Sequence, residues 1–316
     1  MNVIHLKYPH QLQSEDDWPS FSLAIGFFDG VHKGHQAVIE AAKQLGKERN
    51  LKPAVMTFDP HPSIVLREKN GQVFYITPLP QKLELFKKMD IDTVFVVHFT
   101  SDFAKLSPSE FIDTFIRRLN IQHVTAGFDF SFGAFGKGTM ADMAALSHGD
   151  YGVTVIEKQE QAEEKISSSR IRKLLHEGNT EEASELLGRT FEIPGIVVHG
   201  DKRGRTIGFP TANVQPMAGA LIPATGVYAV RIQVQNEWYD GVCNVGYKPT
   251  FKNPEDKQLS IEVHILNFSK NIYGEEVTIG WYKHLRSEQK FSGIDALKEQ
   301  IEKDKERAIA YFKDLV

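Results

Sequence analysis

Two histidines, His32 and His35, stand three residues apart in the stretch Gly26-Phe-Phe-Asp-Gly-Val-His-Lys-Gly-His35. On the opening turn of a helix, that spacing puts both rings on one side, over the helix N-terminus. Imidazolium donors at that point could stabilise charge developing on a transferred phosphoryl group. Gly30 and Gly34 remove Cβ atoms where the backbone must approach another group closely. The N-terminus of a helix favours anions, so a phosphate is the first candidate ligand for Gly26, Phe27, Asp29, Gly30 and Gly34. A metal is the competing reading of the histidine pair. The only cysteine is Cys243 and no carboxylates cluster nearby, so a Cys-rich zinc site is excluded, and so is an intrachain disulfide.

A second unusual stretch is Gly200-Asp-Lys-Arg-Gly-Arg-Thr-Ile-Gly-Phe-Pro-Thr-Ala-Asn213. Its cations, Lys202 and Arg205 among them, alternate with Gly200, Gly204 and Gly208 in a loop suited to a polyphosphate. The loop ends at Pro210. Thr211 and Asn213 alternate toward one side if the segment is extended, and their oxygens suit Mg²⁺ held partly by substrate phosphates. A basic surface hairpin would have the same composition.

Each stretch needs a different frame. The first follows an apolar run, Phe21 to Ile25, and precedes Val38, Ile39, Ala42 and Leu45 at helical spacing. The first half predicts strands over 23–28, 53–58, 93–99, 123–128 and 153–157 with helices between them, one beginning at the capping-box pattern Ser107-Pro-Ser-Glu110. This is an α/β, Rossmann-like parallel sheet, whose ligands sit at the carboxyl ends of the strands. Residues 26–35, 59–62 and 127–138 all fall there. Residues 157–165 are charged and read as a solvated loop. Two short helices follow, ending near 175 and 187. Beyond Phe191 the texture changes to closely spaced strands, which predicts an antiparallel β-barrel. Residues 294–315 read as one long amphipathic helix at the C-terminus. The boundary is placed at 180, giving domains 1–180 and 181–316.

The net charge of −4 gives no support to a nucleic-acid surface. No apolar run approaches the ~20 residues of a membrane helix, and the N-terminus lacks a signal-peptide pattern. A cytoplasmic protein is expected, with no nucleic-acid or membrane partner and with its oligomeric state open. Phe135-Gly-Lys-Gly-Thr139 is not a P-loop, and no GxGxxG follows the first strand.

The first stretch resembles the HxGH signature of the nucleotidylyltransferase superfamily in its flavin-adenylylating form. Thr57-Phe-Asp-Pro-His-Pro62, Gly127-Phe-Asp-Phe-Ser-Phe-Gly133 and Ile166-Ser-Ser-Ser-Arg-Ile-Arg172 resemble the next three motifs in order. Ser169 stands where the family often has threonine, which leaves a hydroxyl in place. The second stretch resembles the riboflavin kinase signature, and the likeness continues through Gly226-Val-Tyr228, Asn244-Val-Gly246, Pro249-Thr-Phe251, Glu262-Val-His264 and Leu285-Arg286. Together they are similar to the bacterial bifunctional riboflavin kinase/FAD synthetases. That resemblance implies phosphorylation of riboflavin to FMN in the barrel and adenylylation of FMN to FAD in the first domain. Riboflavin, FMN, FAD, ATP, ADP and pyrophosphate are then substrates and products.

The two reactions need different residues. In adenylylation the nucleophile is the FMN phosphate, largely dianionic at neutral pH because its second pKa is about 6. Donors suffice there: His32, His35, Ser167, Ser168 and Arg172, with His61 as a further contact. The resemblance places Asp129 and Phe130 beside the flavin. The kinase nucleophile is a ribityl hydroxyl, which calls for a carboxylate to accept its proton. Geometry leaves Glu262 open between an exposed strand residue and that base; the resemblance puts the base there. Arg286 is expected near the flavin or nucleotide. The rival readings are a flavin-binding regulator with little turnover and a nucleotidylyltransferase serving another cofactor.

Overall fold

Every residue of β2 (Phe21–Ile25) is buried, so this strand needs cover on both of its faces. Leu23 and Ile25 enter one core with Met56, Phe95, Phe111 and Phe115. Ala24 enters another with Ile39, Ala42, Val55 and Val94. The computed structural model describes residues 1–10, 12, 18–66, 73–162, 164–200, 204, 207–249 and 257–315. Around β2 it places β1 (Asn2–Lys7), β3 (Lys52–Asp59), β4 (Thr93–His98), β5 (Ile121–Gly127) and β6 (Gly152–Ile156). These form one parallel sheet in the order β1-β4-β3-β2-β5-β6. The chain runs outward from β2 through β3 to β4, then returns to the other side of β2 with β5. The carboxyl ends of β2 and β5 therefore flank the topological switch point, where open α/β sheets bind ligands.

Helix α1 (Lys33–Arg49) begins three residues before the start expected at Gln36, because His32 serves as its N-cap. Helices α2 (Pro62–Leu66) and α3 (Leu79–Lys88) follow β3. The capping box at the start of α4 (Pro108–Ile112) is formed by Ser107 and Glu110. Thr139, at the end of the P-loop-like segment, caps α5 (Met140–Ala145) through a second capping box with Asp142. The stretch read as a solvated loop carries a two-residue hairpin, β7 (Glu160–Gln161) with β8 (Glu164–Lys165). Strands that short leave no periodicity to read.

By packing, the chain divides into Met1–Ser168 and Ser169–Val316, ahead of the boundary read at 180. The second unit explains why. Helix α6 (Ser168–His176) leads to α7 (Thr180–Leu187), which is tied to the barrel. Thr180 Oγ1 donates to the Tyr282 carbonyl at 2.9 Å, and the Phe191 amide donates to Ser184 Oγ at 3.0 Å. The barrel comprises β9 (Phe191–Val198), β10 (Ala212–Pro216), β11 (Gly226–Val234), β12 (Glu237–Pro249), β13 (Lys257–Ile265) and β14 (Glu276–Arg286). All six pair antiparallel and close in the order β10-β13-β12-β11-β14-β9. Ile261, Val263 and Ile265 on β13 are buried, as are Val230, Ile232 and Trp281. Helix α8 (Ile294–Asp314) lays Ala308 and Phe312 against Val227, Ala229 and Val242. No described helix is long and apolar enough to cross a membrane.

Candidate functional site

In the first unit the glycine turn links β2 to α1 at the switch point. His32 is buried and His35 half-buried. Their rings stack with centroids 3.5 Å apart. The His35 amide donates to His32 Nδ1 at 3.2 Å, which leaves His32 Nε2 to carry the ring proton. A Cβ at Gly34 would stand 3.2 Å from the His32 ring, so this glycine makes room for the pair. Gly30 has φ +87°, a left-handed conformation that favours glycine. Gly26 serves a neighbour: its Cβ would lie 2.9 Å from the buried Phe28 ring.

The turn is held carbonyl by carbonyl. Thr57 Oγ1 and Lys82 Nζ donate to the Phe27 carbonyl at 2.9 and 2.8 Å. Ser168 Oγ donates to the Asp29 carbonyl at 2.8 Å, and Gln36 Nε2 to that of Val31 at 2.8 Å. The buried Asp29 carboxylate accepts the Ile76 and Thr77 amides at 3.3 and 3.0 Å. Asp29 is thus a brace of the turn. His61 lies edge-on to Phe27 with centroids 4.4 Å apart. Its Nδ1 accepts the Ser63 amide at 3.1 Å, which again directs the proton to Nε2.

At the carboxyl end of β5, Asp129 is exposed and ion-paired with Lys165, whose Nζ also lies 4.6 Å from the Phe128 ring centre. Phe130 is half-buried and stacks on Phe132. Ser167 is half-buried in this unit. Arg172, half-buried one helical turn beyond Ser168 on α6, falls in the second unit.

In the barrel, strand pairing builds the second site. Asn213 on β10 and Asn244 on β12 both stand opposite Glu262 on β13. Directly paired residues share a face, so the three form a row. Ile261 and Val263 are buried on the other face, which turns the half-buried Glu262 outward. Thr211 Oγ1 donates to Glu262 Oε2 at 3.3 Å. A Cβ at Gly200 would lie 2.2 Å from Asn213 Nδ2, so the Asn213 amide rests against that glycine's backbone. Gly208 has φ +94°. The Pro210 carbonyl accepts from His264 Nδ1 at 2.8 Å. Lys202 and Arg205 lie outside the described residues.

Arg286 is committed elsewhere. Its Nε and Nη2 donate to the buried Asp304 carboxylate on α8 at 2.8–3.0 Å, and its Nη1 to the Ser287 carbonyl at 3.1 Å. Gln300 Nε2 donates to the same carboxylate. Sequence reading assigned no role to Lys82 or Asp304, and named Asn244 only within the Asn244-Val-Gly246 likeness, without its place opposite Glu262. Lys82 does leave a trace, because it occupies a core position of the apolar stripe Leu79, Leu83 and Phe86. Asp304 leaves none without the helix docking, and the place of Asn244 opposite Glu262 needs the strand register.

Comparison with known proteins matches residues 14–170 to the FAD synthetase family and residues 187–312 to the riboflavin kinase family. A bifunctional riboflavin kinase/FMN adenylyltransferase of Bacillus subtilis is 51% identical over 100% of this chain and 99% of its own length. One from Listeria monocytogenes is 48% identical with the same coverage. A crystal structure from Streptococcus pneumoniae, titled macrolide-efflux protein, is 34% identical with a TM-score of 0.87, covering 97% of this chain and 98% of that one.

Proposed function

Because the chain belongs to the bifunctional riboflavin kinase/FMN adenylyltransferase family, we propose that it makes FMN from riboflavin at the Thr211–Asn213–Glu262 row and FAD from FMN at the His32–His35 turn. The assignment of adenylylation to residues 1–180 and of phosphorylation to 181–316 belongs to this reading. So does Arg172 as a phosphate donor of the first reaction, with Asp129 and Phe130 toward its flavin. The observation that carries the kinase half is the pairing of Glu262 with both Asn213 and Asn244.

In adenylylation the FMN phosphate attacks the α-phosphorus of ATP, and pyrophosphate leaves. The nucleophile arrives ionised, so the site's task is to orient the attack and stabilise the departing charge. His32, His35 and Ser167 supply donors for this. In phosphorylation the ribityl hydroxyl attacks the γ-phosphorus of ATP while the Glu262 carboxylate accepts its proton, and ADP leaves. Thr211 holds one carboxylate oxygen by hydrogen bond, which fixes the base in place.

The donor set fits Mg²⁺. Thr211 and Asn213 present hydroxyl and amide oxygens, hard donors of the kind that this ion takes. Among the described residues no three His, Cys, Asp or Glu side chains form a metal cage. Bound there, the ion would neutralise charge on the transferred phosphoryl group. Arg286 serves this half by pinning α8 to β14. The reading also carries the cytoplasmic location. Incubation with riboflavin and Mg-ATP, followed by separation of flavins, tests it: FMN and then FAD should appear, and bound but unchanged riboflavin would favour a regulator.

A further inference from the structure

Lys82 has 2% of its surface exposed, yet it carries an ammonium group. An isolated buried charge is costly, so its partners define its purpose. The Nζ sits 2.8 Å from the Phe27 carbonyl and 3.4 Å from Thr57 Oγ1, and 4.4 Å from the centre of the Phe27 ring. Asp29 in the turn and Asp59 at the end of β3 are the charged groups that act on it. The Phe27 carbonyl and ring and Asp29 belong to the segment between β2 and α1, and Thr57, on β3, donates to the same Phe27 carbonyl.

The consequence for the turn follows from peptide geometry. In a trans peptide the C=O and the next residue's N–H point in opposite directions. Lys82 and Thr57 draw the Phe27 carbonyl toward α3 and β3, so the Phe28 N–H is aimed the other way. Ser168 does the same for the peptide that carries the Gly30 N–H. Phe28 has φ +54° and Val31 φ +41°, left-handed values that non-glycine residues adopt only when their surroundings impose them. Successive N–H groups around such residues form concave anion sites. Helix α3 is locked to the turn in the reverse direction as well, since Asp29 accepts the amides of Ile76 and Thr77 just before it.

We propose that Lys82 is a positioning residue of FMN adenylylation, which aims the Phe28 N–H and adds a fixed positive charge behind the turn that receives the ATP polyphosphate. This rests on the function proposed above for the first unit. Lys82 does not touch substrate; it acts through the Phe27 peptide. Burial lowers its pKa to about 8, with Asp29 and Asp59 opposing that shift. The group is therefore charged below about pH 8 and neutral above it.

The test compares the wild-type full chain with Lys82→Met, which keeps the length and apolar stem of the side chain. With FMN and Mg-ATP as substrates, FAD formation at pH 7 should fall about 10–100-fold in the variant, the scale of a misplaced binding group. Riboflavin phosphorylation by the same preparation should stay within twofold, which reports that the chain is folded. The wild-type rate of FAD formation should decline as pH rises through about 8, and the variant should lack that limb. A packing role alone would leave the pH profile unchanged. If Lys82→Met does not fold, Thr57→Val, which removes the other donor to the Phe27 carbonyl, should lower FAD formation about threefold or more. A folded Lys82→Met variant that matches wild type in rate and retains the alkaline limb would overturn the assignment. So would a folded Thr57→Val variant at the wild-type rate. Wild type that forms no FAD would overturn the function and this role with it.

Discussion

Thr211 Oγ1 lies 3.3 Å from Glu262 Oε2, joining the segment that follows the glycine-rich loop to the middle of β13. The two residues are 51 positions apart, and the pairing of Asn213 with Glu262 brings them together. A strand slip of one residue would send Glu262 into the core and Ile261 out. The buried Ile261 and Val263 therefore set the direction of the proposed base.

Glycine 200 is the clearest steric prediction. Its replacement by alanine puts a Cβ 2.2 Å from Asn213 Nδ2, so the amide must move from the Glu262 row. Riboflavin phosphorylation should fall at least tenfold in Gly200→Ala, while FAD synthesis from supplied FMN should be unaffected. Steady-state rates of the two half-reactions check this, with circular dichroism to confirm the fold.

The histidine pair should behave in the opposite way. His32→Ala with His35→Ala removes two donors from the turn, each of the kind worth about 10²–10³-fold in a phosphoryl or acyl transfer site. FAD formation should be lost by at least the larger of those factors, and FMN formation should stay near normal. Separation of flavins from one time course reads both.

The Arg286–Asp304 pair is a stability prediction. Asp304 is 1% exposed, and removing one member of a buried pair costs roughly 3–5 kcal/mol. Arg286 is less deeply buried, so Asp304→Ala should destabilise the second unit by about 3 kcal/mol in urea unfolding. Replacing both residues by apolar ones of similar volume should recover most of that loss.

Periodicity carried much of this fold in the sequence. The alternation of Ile261, Val263 and Ile265 and the helical spacing of Val38, Ile39 and Ala42 survive as buried faces. The capping box at Ser107 is local and was readable for that reason. Strand β1 was not, because only Leu6 in it is buried and an edge strand shows little pattern. The hairpin at 160–165 lies below the length at which period 2 appears. Of the candidate residues, those within a motif were found as groups, since a turn or loop keeps its members adjacent. Asp29 and Arg286 show the limit: each belongs to its motif, yet one braces the turn through the Ile76 and Thr77 amides and the other docks α8. A sequence names such residues without telling whether they face a ligand or a neighbour. The pairing of Asn244 with Glu262 and the contacts of Lys82 depend on partners far along the chain, and only the register of β12 with β13 and the docking of α3 reveal them.

The central claim is that Glu262 takes the ribityl proton. Glu262→Gln preserves the strand position and an oxygen that can still accept the Thr211 hydroxyl, but removes the capacity to take a proton at neutral pH. The measurement is the rate of FMN formation from riboflavin and Mg-ATP by this variant, with FAD formation from supplied FMN followed on the same preparation. The account predicts a fall of about 10²–10⁴-fold in the first rate, the range for loss of a general base, with the second unchanged. FMN formation at a near-normal rate would contradict it and leave Glu262 a solvent-facing strand residue.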